Sequence, residues 1–112
     1  MSIGLSFEAQ IQDVSEVREE VMDLAKQWNI DAFPDENSMT LSFCPIGILE
    51  IQFEQEEAGR WIMSGECVTT PAGPGLHKAV VDFIETLEER LNLEILFDDE
   101  AEYRIFIPGW KY

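Results

Sequence analysis

The sequence predicts an α+β domain: a two-layer sandwich with two amphipathic helices on one face of an antiparallel sheet of about six strands. Three observations carry that expectation. Apolar residues alternate with period two through several short segments, the mark of strands with one buried face. Two longer segments repeat them at helical spacing. Clusters of proline, glycine and asparagine separate these segments. The 112 residues suit one domain and one core, residues 1–112, and 46% hydrophobic content with seven phenylalanines and three tryptophans is enough to fill it.

Ile3, Leu5, Phe7, Ala9 and Ile11 alternate with polar residues and Gly4, giving a first strand. Asp13 then fits an N-cap, with Glu16 three residues on. Val14, Val17, Val21, Leu24, Ala25 and Trp28 fall on one helical face, opposite Glu16, Glu19, Glu20 and Asp23. Asn29 tolerates the left-handed conformation that ends a helix, with Ile30 as its apolar partner. Residues 31–38 collect Pro34, Asp35, Asn37 and Ser38 and read as a loop.

Met39, Leu41 and Phe43 open a second strand that turns at Cys44-Pro45-Ile46-Gly47. Leu49, Ile51 and Phe53 mark a third, Glu56 to Gly59 a turn, and Trp61, Met63 and Cys67 a fourth: a meander. Proline and glycine interrupt residues 69–75, and a second helix is expected after them, carried by Leu76, Val80, Phe83, Ile84 and Leu87. Asn92-Leu93 repeats the first helix's ending. Leu93, Ile95 and Phe97 give a fifth strand, residues 98–102 an acidic turn, and Tyr103, Ile105 and Ile107 a sixth strand. The expected order is β-α-β-β-β-α-β-β.

Charge narrows the function classes. Twenty-three acidic residues against seven basic ones give a net charge of −16. Such a field repels phosphate backbones and anionic lipid, so neither nucleic acid nor membrane is an expected partner, whereas basic proteins are attracted. The N-terminal residues lack the basic and apolar regions of a signal peptide, so the cytoplasm is the expected compartment. Cys44, Cys67 and the single His77 have no zinc-site spacing, and neither a metal nor a cofactor is expected. Alternation places Cys67 inward with Trp61 and Met63 as an inert thiol. It places Cys44 outward with Thr40 and Ser42, so a disulfide between the two is not expected.

Two stretches are candidates for function. The first is the outer sheet face, where Glu50, Glu54 and Glu66 surround Ile62, Leu96 and Phe106 as apolar anchors. The second is the run Thr69-Thr70-Pro71-Ala72-Gly73-Pro74-Gly75-Leu76-His77. There a strand passes through glycines to a helix N-terminus, whose free N–H groups suit an anion, with His77 as a proton donor. Thr69, Thr70, Gly73, Gly75 and His77 would form that site. The same run also reads as a stiff crossover with His77 exposed.

The string TTPAGPGLH, entered from a tryptophan-containing strand and followed by an amphipathic helix, resembles a TTPAGPGxH-like motif of small uncharacterised bacterial proteins. That resemblance covers about a third of the chain and implies no assigned activity. Some small acidic bacterial proteins are immunity proteins that neutralise toxins, an analogy of size and charge. The leading expectation is therefore a non-enzymatic protein-binding module, immunity- or inhibitor-like, that offers an acidic sheet face to a basic partner. The alternative is a small-molecule or anion-binding domain, with or without enzymatic activity, at the Gly-Pro loop and His77.

Overall fold

A computed structural model describes residues 4–68 and 74–99. Alternation at Leu5, Phe7, Ala9 and Ile11 produces β1 (Gly4–Ile11), and all four side chains are buried. Asp13 caps α1 (Val14–Gln27): its carboxylate accepts from the Ser15 and Glu16 amides, satisfying two of the helix's free N–H groups. Val17, Val21, Leu24 and Ala25 form the buried stripe of that helix. At its end Asn29 adopts φ 57°, and the Ile30 amide donates to the Ala25 carbonyl at 2.8 Å. This is a Schellman ending, and asparagine tolerates the left-handed position it requires.

Residues expected to form a loop instead contain a short strand, β2 (Asp31–Pro34), which pairs with β3 (Ser38–Cys44). Four residues ending in proline are too few to show period two in the sequence. Tertiary contacts hold the hairpin: Arg18 on α1 donates to the carbonyls of Asp35 and Glu36. The Asp35 amide closes the turn onto the Ser38 carbonyl at 2.8 Å. Asp31 and Phe33 are in phase with Asp35 and turn their backbone groups toward β3, which leaves those of Ala32 and Pro34 on the open edge. Proline has no N–H, so this edge offers little to a further strand.

The chain continues as a meander through β4 (Gly47–Gln55) and β5 (Trp61–Val68), joined by a turn in which Gly59 takes φ 83°. The second helix, α2 (Pro74–Leu91), starts two residues earlier than Leu76, with proline at its first position, where the missing N–H costs nothing. Asn92 repeats the Schellman ending, with φ 53° and Leu93 donating to Glu88. The last strand is β6 (Leu96–Asp99), shifted toward the expected acidic turn. Ile95 stays outside it, its amide held by the Glu88 carboxylate at 2.8 Å. The expected strand at Tyr103–Ile107 lies outside the described residues.

Every strand pair is antiparallel, in the order β2-β3-β4-β5-β1-β6. The inward side chains of the strands and the stripes of both helices form one core, including Leu41, Leu49, Ile51, Phe83 and Ile84, all at 0% exposure. Each such side chain contributes about 1.5–3 kcal/mol by leaving water. Gly65 faces Phe7 across the sheet, and a Cβ there would overlap the Phe7 ring, so glycine lets the ring lie against the strand. Because both described helices use the same face, no described helix lies on the other face of the sheet.

Candidate functional site

Strand alternation that sends apolar side chains inward sends their neighbours to this outer face. The register then decides which of them meet. Glu50 on β4 lies directly opposite Glu66 on β5, and Glu66 lies opposite Ser6 on β1. One row along, Gln52, Ser64, Glu8 and Leu96 follow one another across four strands. Beyond them Glu54 pairs with Ile62. Glu8, Glu50, Glu54 and Glu66 are exposed, and Ile62 is half-buried. The centre is a shallow concavity of about 460 Å³, lined by Ser6, Glu8, Glu50, Gln52, Ser64 and Glu66, with Leu96 at its rim.

The described cations are placed elsewhere. Among the described residues Arg18, Lys26, Lys78 and Arg90 lie on helices, and Arg60 lies in the β4–β5 turn beside Glu56 at 3.6 Å. Lys78 pairs with Asp82, and Arg90 bridges the helices by donating to Gln27 at 2.8 Å. No described strand residue is basic. Directly opposed glutamates repel, and nothing on neighbouring strands offsets that.

The structure brings together Glu50, Glu54, Glu66 and Ile62 on adjoining strands, with Leu96 two strands away on the same face. Phe106 lies outside the described residues. Phe33 is an addition to the expected set. It pairs with Thr40, which pairs with Glu50, so it stands on the outer face at 58% exposure. The one sequence signal for it was a single apolar residue flanked by Ala32 and Pro34, outweighed by the surrounding turn formers.

Of the second candidate stretch, Thr69, Thr70 and Gly73 lie outside the described residues. Gly75 is exposed in the first turn of α2, and a Cβ there would meet nothing within 4 Å. His77 corrects the expectation of an exposed side chain: it is 2% exposed. Helical spacing sets it on the buried stripe with Val80, Val81 and Ile84.

Cys44 is also a correction. A register shift between Ser42 and Cys44 inserts a bulge, which pairs Cys44 with Gly47 and packs it against the core instead of on the outer face. Its Sγ lies where a Gly47 side chain would stand, 2.9 Å from that Cβ position. Cys44 and Cys67 form no disulfide. Burial, and secondarily the nearby Cys44, pushes the Cys67 thiol up to about 11, which makes it a poor nucleophile at neutral pH. Among the described residues no group of three or more His, Cys, Asp or Glu side chains could hold a metal ion, and no helix is long and apolar enough to cross a membrane.

No protein-family model and no curated protein matches this chain. Among solved structures, the de novo designed protein Ferredog-Diesel is similar over 88% of this chain and 87% of its own, at 10% identity and a TM-score of 0.42.

Proposed function

We propose that this protein is a non-enzymatic binding module of the immunity or inhibitor kind, whose outer sheet face receives a basic protein partner. The direct opposition of Glu50 and Glu66 on the sheet face that neither described helix covers supports this reading most strongly. Like charges across a strand pair destabilise the free protein by a few tenths of a kcal/mol up to about 1 kcal/mol. A cationic partner reverses the sign of that term. Exposed Phe33 and Leu96 supply apolar contact at the two margins. A net charge of −16 draws such a partner in from a distance.

The test is kinetic. Reversing charge with Glu50→Lys, Glu54→Lys and Glu66→Lys should slow association with a salt-releasable partner at least tenfold at low ionic strength, an effect that fades in high salt. Leu96→Ala should mainly hasten dissociation. Gly75→Ala, which adds a methyl to open space at the other candidate stretch, should change neither rate. Loss of binding in Gly75→Ala with the charge reversals silent would transfer the site to the helix N-terminus.

A further inference from the structure

The five large apolar side chains that stay exposed among the described residues are Met22, Trp28, Phe33, Ile46 and Leu96, and two of them share the outer sheet face. Phe33 sits on β2 and Leu96 on β6, the outermost described strands, at 58% and 64% exposure. Five inter-strand steps separate those strands, about 24 Å at the usual spacing. The carboxylates of Glu50, Glu66 and Glu8 stand between them, on β4, β5 and β1. The face thus reads apolar, acidic, apolar from β2 to β6.

We infer that the occupant of this face is an arginine-bearing segment of a basic protein. Its guanidinium lies between Glu50 and Glu66, and its flanking apolar residues pack on Phe33 and Leu96. This rests on the acidic-face reading and specifies its partner. Directly opposed side chains on neighbouring strands start about 5 Å apart at Cβ, so one planar group can meet both carboxylates. A guanidinium carries five N–H donors in one plane and sheds water easily, whereas an ammonium is a strongly hydrated point charge. Ser6, Gln52 and Ser64 line the same concavity and supply acceptors for the remaining donors. A second copy of the chain does not suit the face, because it would set Glu50, Glu66 and Glu8 against another chain of charge −16. A face about 24 Å wide also matches a segment better than the larger patch of an obligate dimer.

Two twelve-residue peptides that differ only in carrying arginine or lysine at four positions among leucines, with spermine as a third probe, test this by calorimetry at low salt. The arginine peptide should bind about fivefold tighter than the lysine peptide. Glu50→Gln with Glu66→Gln should bring the two to equal affinity. Phe33→Ala and Leu96→Ala should weaken both peptides while the gap between them remains. Equal affinities in the wild type, or spermine matching the arginine peptide, would overturn the arginine assignment and leave a general acidic face standing. A gap that survives the double glutamine variant would place the arginine elsewhere and overturn it too. Binding of no probe at all would remove the acidic-face reading itself.

Discussion

Cys67 carries its environment in its protonation. Its thiol is 3% exposed, and burial raises it from the ordinary 9.0 to about 11. The folded state therefore keeps a proton that the unfolded chain releases above pH 9. Its contribution to stability is complete below pH 9 and is lost as pH climbs through 11, a change of about 2–3 kcal/mol. Urea midpoints measured from pH 8 to 11 should fall more steeply for the wild type than for Cys67→Ala; parallel curves would contradict the burial. At pH 8, Ellman's reagent should titrate one thiol quickly, half-buried Cys44, and the other only on unfolding. Alternation in the sequence was enough to bury Cys67. It put Cys44 on the wrong face because a bulge adds one residue to one strand, and nothing in Ser42-Phe43-Cys44 announces that.

At the scale of elements, the two helix endings are the clearest transfer from sequence to structure. Asn29 and Asn92 each follow the last residue of an apolar stripe, and each occupies the left-handed position. Asn29→Ala and Asn92→Ala should each cost about 1 kcal/mol, because a Cβ without a helpful polar group resists that conformation. The corresponding glycine variants should match or exceed the wild type. Thermal unfolding of the four variants decides this, and equal losses for alanine and glycine would mean that the asparagine side chains act through other contacts. Strand β2 was illegible for the opposite reason. Its four residues gain their conformation from pairing with β3 across a turn that Arg18 on α1 holds, and neither is a local property. The early start of α2 was missed because a proline in a Pro-Gly-rich run reads as a turn, although Pro74 stands at the first helical position.

Across the whole molecule, charge and layering are arranged together. Both helices cover one face of the sheet and carry four of the five described basic residues, while the described strands carry none. Alternation was sufficient to assign Glu50, Glu54, Glu66, Ile62 and Leu96 to the outer face. It could not reveal that Glu50 stands opposite Glu66, because pairing depends on register and strand order, which period two does not encode. Phe33 stayed hidden with its strand. The most direct test of the central claim, that this outer face is where the protein binds, is amide chemical-shift mapping of the labelled protein during titration with the arginine peptide. Shifts should concentrate at Glu50, Gln52, Ser64 and Glu66 and spare Gly75, Leu76 and His77. Shifts concentrated at Gly75 to His77, with the sheet face silent, would contradict it.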